Sequence, residues 1–320
     1  MVLAPRGRVR DVVVSVLVLG NELTGKSLEV RPMLKMRTIS VVGSSIIGSM
    51  WRYDLDDLGN RDPERMRFLW DLLKPFLRAY FRPVILGLDR VPEGPALYVG
   101  NHNGIISLDS LTFFGEVLEA RGIENVPYGL GHEVTMSLPG ANQLYAPLGV
   151  IRASHGNAHR VFAAGGKVMV YPGSDYDAYR AYRDRDRVIF GPRRGYIRLA
   201  LRERVPIVPV ITAGAHEVCI ILDDGQRIAR ALRLDKLLRA KAWPITLSIP
   251  WGLTVGPPQL FFPLRTRFYQ EALAPIVFKQ AGPEAASNDG YVERCHQVVH
   301  ETMQRALDRL VALRAADRGR

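Results

Sequence analysis

The strongest constraint on this chain is the stretch from Ala96 to Ser110. Ala96 to Val99 is a short apolar run of the kind that forms a buried strand, and Gly100 ends it. Asn101, His102, Asn103 and Gly104 form a polar turn. Ser107 then caps a helix whose apolar positions are Leu108, Leu111, Phe114 and Leu118, and Arg121-Gly122 closes it. The pattern puts His102 on a turn after a strand and Asp109 in the first turn of the next helix. A neutral imidazole oriented by a carboxylate is a general base. Along one continuous helix, residues seven apart would be ~10 Å apart, too far to bond. The two can meet only where the chain folds back, and Asn103-Gly104 is the place for it. A solvated histidine followed by an aspartate that favours the helix dipole fits the same residues.

The 320 residues allow one large domain with extensions. An apolar share of 47% is ordinary for a globular core. The net charge of +11 points to anionic partners: membrane lipid, nucleic acid or phosphate-bearing ligands. Cys219 and Cys295 show neither zinc spacing nor a disulfide pattern, which favours a reduced, cytoplasmic setting and no bound metal. Val12–Leu19 and Ile39–Ile47 are too short to span a bilayer, so membrane contact is expected to be peripheral.

Residues 1–50 read as a weakly structured extension. Within them, Gly20 to Ser27 matches the phosphate-loop pattern G-x-x-x-x-G-K-S, but Pro32 follows where a helix is needed. Residues 51–89 contain a basic, aromatic-rich helical segment. In it Phe68, Trp70, Phe76, Tyr80 and Phe81 alternate with Arg65, Arg67, Lys74, Arg78 and Arg82. Such a segment suits either a bilayer interface, through Trp70, Phe76 and Phe81, or packing on the domain. Residues 90–265 alternate strands and helices, with strands at Lys167–Tyr171 and Val205–Ile211 and a helix at Gly195–Leu201. Pro206 and Pro209 mark the second of these strands as an edge or an irregular one. Residues 179–204 carry nine arginines, which either flank an anionic ligand or form a solvated loop. A second basic run, Arg227 to Arg239, spreads too widely for one helical stripe. Residues 266–320 end in a helix over 291–315, with Val298, Met303, Leu307, Leu310 and Leu313 as its expected core face.

Four blocks in order resemble those of the lysophospholipid and glycerol acyltransferase superfamily, in particular its monoacylglycerol/diacylglycerol-acyltransferase-like branch. They are Asn101-His102 with Asp109, then Gly149-Val150-Ile151-Arg152, then Val170-Tyr171-Pro172-Gly173-Ser174, then Val205-Pro206-Ile207-Val208-Pro209-Val210. The resemblance implies a single α/β domain with a central mixed sheet flanked by helices. It implies His102 and Asp109 as the catalytic pair. Asn101, Gly104, Arg152, Tyr171, Pro172, Gly173 and Ser174 would be acceptor-site residues. Two departures stand out. Six residues separate His102 from Asp109, more than in the commonest form of the first block. Gly173 stands where the third block usually has glutamate.

The implied reaction moves a fatty acyl group from acyl-CoA, a co-substrate rather than a bound cofactor, or from an acyl-carrier protein, to a lipid hydroxyl. The arginine-rich region, Arg193 and Arg194 included, is a candidate for the donor's phosphates. An anionic membrane surface is an expected partner, at its cytoplasmic face. Nucleic acid is not expected, because the aromatics cluster with leucines rather than in stacking platforms. The rival readings are a phosphate-loop nucleotide-binding protein using Gly20–Ser27 and a non-catalytic basic protein of the membrane surface.

Overall fold

The computed structural model describes residues 53–318 apart from 105–107, 133–135, 137–139, 235–241 and 257–260. The extension over 1–50 and its phosphate-loop-like stretch Gly20–Ser27 lie outside the described residues, as does the capping residue Ser107.

In chain order the described elements are α1 (Pro63–Phe81), β1 (Val84–Leu86), β2 (Ala96–Gly100), α2 (Leu108–Arg121), β3 (Tyr128–Gly131), α3 (Ala141–Tyr145), β4 (Val150–Arg152), α4 (His155–Ala163), β5 (Lys167–Val170), α5 (Asp175–Ala178) and α6 (Gly195–Glu203). Then follow β6 (Ile207–Ala213), β7 (Ile220–Asp223), α7 (Gln226–Ala231), β8 (Ile245–Ser248), β9 (Gly252–Val255), β10 (Tyr269–Ala272), α8 (Pro283–Ser287) and α9 (Asp289–Arg318). The main sheet has the order β1-β10-β6-β2-β5-β3-β4, and β7-β8-β9 form a second, antiparallel sheet. From β6 to β4 the main sheet is parallel, and β10 runs antiparallel to β6, so the sheet is mixed as expected.

β2 and β6 lie at the centre and are buried along their whole length, as strands covered on both faces must be. The expectation of an edge or irregular strand at Val205–Ile211 is therefore corrected. Pro206 precedes the strand and gives only its carbonyl, to Leu97 N. Pro209 accepts from Leu273 N on the β10 side, where β10 has already ended at Ala272. A proline is tolerated there because its missing N–H falls in the break between the regular β10 ladder and the isolated Ile207–Ile276 bridge.

One face of the sheet carries a cluster with Val161, Ile197, Leu201, Val299, Met303 and Leu307, drawn from α4, α6 and α9. The other face carries Tyr98, Phe113 and Val117 together with α1 residues. The core side of α9 runs Val292, Cys295, Val299, Met303, Ala306 and Leu310, an i+3/i+4 rhythm. Val298 and Leu313, expected in that face, point outward instead. Both cysteines are buried and unpaired.

α1 starts with Asp62 accepting from Glu64 N and Arg65 N, and Pro63 stands at its first position. Its inner side buries Met66, Trp70, Leu77 and Phe81. Trp70 is 4% exposed and lies against α2, where Gly115 makes room for it. A Cβ on Gly115 would sit 2.0 Å from the indole. Trp70 and Phe81 are thus core residues, and of the three aromatics expected at a bilayer only Phe76 is exposed. Lys74 and Arg78 bridge to Glu119 and Glu116 of α2, at 2.6 and 2.9 Å.

Candidate active site

In a parallel α/β sheet the loops at the carboxyl ends of the strands gather on one side. Here the β2 loop delivers Asn101 to Gly104, and its neighbour β5 delivers Tyr171 to Ser174. The His102 and Tyr171 rings lie 4.8 Å apart. Tyr171 Oη shares a short hydrogen bond with Ser110 Oγ, one residue after Asp109. The fold therefore brings His102, Asp109 and Tyr171 into one cluster.

Asp109 is 1% exposed. Its Oδ2 accepts from Asn103 Nδ2 at 3.0 Å, while Oδ1 has no partner among the described residues. His102 Nδ1 is likewise buried and without a partner among them. Each atom is thus left with a bond to make, the ring nitrogen able to donate and the carboxylate oxygen able to accept. Burial pushes Asp109 up to about 6, against the hydrogen bond from Asn103. Burial, with the Arg180 cation beside it, pushes His102 down to about 4. At neutral pH the imidazole is neutral and the carboxylate charged, the states a general base and its orienting group need.

The floor of the site is built by residues that local pattern did not mark. Asp177 Oδ2 accepts from the His102 backbone N at 2.6 Å. Arg180 donates to Asp177 Oδ1 at 2.9 Å, to Asn103 Oδ1 at 2.9 Å and to the His102 carbonyl. Both side chains of this ion pair are essentially sealed from water. His216 Nε2 donates to the Arg180 carbonyl at 2.8 Å. Gln270 Nε2 donates to the Asp109 carbonyl at 3.1 Å and to Thr212 Oγ1 at 2.9 Å, tying α2 to β6. The only local trace of the ion pair is an Asp and an Arg three apart, just after the Pro172-Gly173 turn.

Several expected acceptor residues prove to be supports. Asn101 is 1% exposed, and its amide binds the N and O of Thr212, both at 2.9 Å. It acts as a strand partner for β6. Pro172 and Gly173 are buried. A Cβ on Gly173 would fall 2.2 Å from Asp177 Cβ and 2.4 Å from Ile189 O, so no glutamate fits there. Ser174 holds φ 46°, ψ −127° at the start of α5, and Gly104 ends the described part of the first turn.

Arg152 ends the edge strand β4, with β3 and β5 between it and β2. Three strand spacings make about 14 Å, and Asp56 Oδ1 accepts from Arg152 Nε at 3.1 Å. The expectation that it stands beside His102 is corrected. Arg193 donates to Gly173 O and Asp175 Oδ1, at 2.7 and 2.8 Å, bracing the Tyr171 turn. Arg194 pairs with Glu293 of α9 at 2.7 Å. Arg183, Arg185, Arg187 and Arg198 also meet acids. The arginine-rich segment thus serves largely as structural glue. Among the described residues no group of His, Cys, Asp and Glu is arranged to hold a metal ion, and no described helix is long and apolar enough to cross a membrane.

Comparison with known proteins places this site. Residues 82–213, which hold His102, Asp109, Tyr171 and Asp177, match the family model described as Acyltransferase. Over these residues the chain is similar to the acyltransferase family. An uncharacterized protein of Mycobacterium tuberculosis is 27% identical over 261 residues, covering 81% of this chain and 70% of that protein. Phytyl ester synthase 2, chloroplastic, of Arabidopsis thaliana is 26% identical, covering 73% of this chain and 35% of that one. The mouse protein named DGAT1/2-independent enzyme synthesizing storage lipids is 27% identical over 48% of this chain and 44% of its own. Among solved structures, the LPA acyltransferase PlsC of Thermotoga maritima aligns with a TM-score of 0.45 and 16% identity, over 79% of this chain and 84% of that one.

Proposed function

We propose that this protein moves a fatty acyl group from an acyl thioester, acyl-CoA or acyl-carrier protein, to the hydroxyl of a lipid, with His102 as general base. The observation that carries this is the complementary pair of orphaned buried atoms, His102 Nδ1 and Asp109 Oδ1, inside the family-matched stretch. The two do not bond each other in this structure; in the reacting form Nδ1–H would go to Asp109, leaving His102 Nε2 to take the proton of an acceptor hydroxyl. The alkoxide attacks the thioester carbonyl. The tetrahedral oxyanion collapses, the C–S bond breaks, and the imidazolium returns its proton to the departing thiolate. Asp109 orients the ring and stabilises its charged form. Asp177 and Arg180 hold the His102 backbone from below and are positioning residues.

The acceptor in this reading is a neutral hydroxylated lipid: a monoacylglycerol, a diacylglycerol or a long-chain alcohol. Gly173 leaves no room for a glutamate, and Arg180, Arg193 and Arg194 are held by Asp177, Asp175 and Glu293, so these three offer no free cation to an acceptor phosphate. The names of the plant and mouse relatives fit such acceptors. The protein would work at the cytoplasmic face of a membrane. A release assay for free thiol, run with acyl-CoA and a panel of acceptors, tests the reading. Turnover with neutral lipids and its loss by ~10²–10⁴-fold in His102→Ala support it. A preference for glycerol 3-phosphate overturns the acceptor, and no thioester turnover with any acceptor or donor overturns the activity.

A further inference from the structure

In the second sheet β8 and β9 have their polarity reversed, while β7 buries Ile221 opposite Thr246 and sets Asp223 opposite Ile245. An antiparallel sheet normally turns apolar side chains to the core and polar ones to water. In β8 and β9, Leu247 stands opposite Leu253 and Ile245 opposite Val255, so these four share a face. Leu253 and Val255 are 64% and 61% exposed. Thr246, on the other face, is completely buried and hydrogen-bonds Thr254 at 2.7 Å. Leu222 of β7 is also exposed.

This apolar face continues onto α1. Ile249, which follows β8, is exposed, and its carbonyl accepts from Phe262 N at 2.8 Å. Phe262 is 73% exposed. The carbonyl of the next residue, Pro263, accepts from Tyr80 Oη at 2.9 Å, and the Tyr80 ring stacks on Phe76 at 5.2 Å. Phe76 belongs to an outer stripe with Phe68, Leu72, Pro75 and Ala79, all exposed and within ~100° of one another around the helix. α1 therefore has two apolar sides, one in the core and one outside.

The described groups around the band are mainly basic, although Glu64 and Asp71 flank the α1 stripe and Asp223 stands opposite Ile245. Among the described residues Arg67, Arg82, Arg227, Arg230, Arg233 and Arg265 are exposed and take no carboxylate partner. Behind the band, Trp70 and Leu77 of α1 pack in one cluster with Leu108 and Leu111 of α2, the helix that carries Asp109.

We propose that the outer face of β7-β8-β9, together with the Phe68–Phe76 stripe of α1, lies on a bilayer surface bearing anionic lipid. Apolar side chains enter the boundary between headgroups and acyl chains, and the unpaired arginines meet lipid phosphates. The placement sets the α2 side of the active site against the membrane, where a lipid acceptor is held. It deepens the acyltransferase reading but does not depend on it.

The test is co-sedimentation of the full chain with vesicles of phosphatidylcholine and phosphatidylglycerol, and with phosphatidylcholine alone. The wild type and His102→Ala are expected to bind the anionic vesicles equally. The triple variant Leu247→Ser, Leu253→Ser, Val255→Ser is expected to bind at least ~10-fold more weakly, since three aliphatic side chains no longer leave water on binding. Its melting temperature and its turnover of a water-soluble short-chain acceptor should match the wild type. Phe68→Ser with Phe76→Ser should also weaken binding. Loss of binding in the triple variant upholds the surface even if no acyl transfer is ever found. Unchanged vesicle binding in a folded triple variant, no vesicle binding by the wild type, or a wild-type dimer that the triple variant converts to monomer would each overturn it.

Discussion

The floor of the active site and the outer face of the second sheet treat polar groups in opposite ways. Beneath His102, a carboxylate and a guanidinium are buried where apolar side chains are the rule, and each is bonded several times over. On β8 and β9, leucine and valine face water while threonine is buried. Each arrangement costs folding free energy. The first has its compensation inside the fold, in charge-assisted hydrogen bonds that fix the backbone around His102. The second finds none within the described fold, and this is why it is read as a surface made for something outside the chain. A buried polar group with partners points to positioning, and an exposed apolar group points to contact.

His102→Ala should separate the two regions most sharply. Thioester turnover should fall by ~10²–10⁴-fold, with melting temperature and vesicle binding unchanged. Loss of vesicle binding in this variant would mean that the two regions are not independent.

Asp177→Ala leaves Arg180 buried without its partner, and should cost about 3–5 kcal/mol in a denaturant melt. The double variant Asp177→Leu, Arg180→Met should recover much of that stability but not the activity, because the His102 N–H loses its acceptor. Full recovery of turnover would show that the ion pair serves stability alone.

On α1, Trp70→Ala should cost roughly 3–5 kcal/mol, as a large core deletion does. Phe68→Ala, on the outer side, should stay within about 0.5 kcal/mol. Equal costs would mean that the outer stripe is covered by protein.

The smallest effect is the pH dependence of Asp109. The folded protein holds its carboxyl at about 6, above the ordinary carboxylate range. The neutral form therefore stabilises the fold, fully below about pH 4 and with loss as pH rises through about 6. Asp109→Asn keeps that contribution at every pH, so its stability relative to wild type should improve between about pH 4 and 6 and then level off. The wild-type kcat/KM should fall as pH drops through about 6, before His102 charges near 4. In Asp109→Asn the residual activity should lose that limb. A limb that stays in place belongs to another group.

The sequence alone determined the strands at Ala96–Val99 and Lys167–Val170, the helices after them, and the order of turns that put His102, Asp109 and Tyr171 in view. Those features are local: apolar runs, periodicity, glycine punctuation and caps act over a few residues. It also exposed the missing glutamate, though not the reason, since Gly173 is pressed by Asp177 and Ile189. Tertiary structure alone decided the rest. It made the proline-bearing β6 a central strand by ending β10 where Pro209 lacks a donor. It gave most of the arginines after Tyr171 their partners, some of them, such as Glu293 and Asp289, about a hundred residues away in the chain. It placed Asp177 and Arg180 under His102, tied Asn101 to Thr212 and Arg152 to Asp56, and turned Trp70 inward and Leu253 outward. The reason is common to all of these. Periodicity shows that a helix or strand has an apolar face, but which of two apolar faces is covered, and which charge meets which, depends on contacts between residues far apart in the chain.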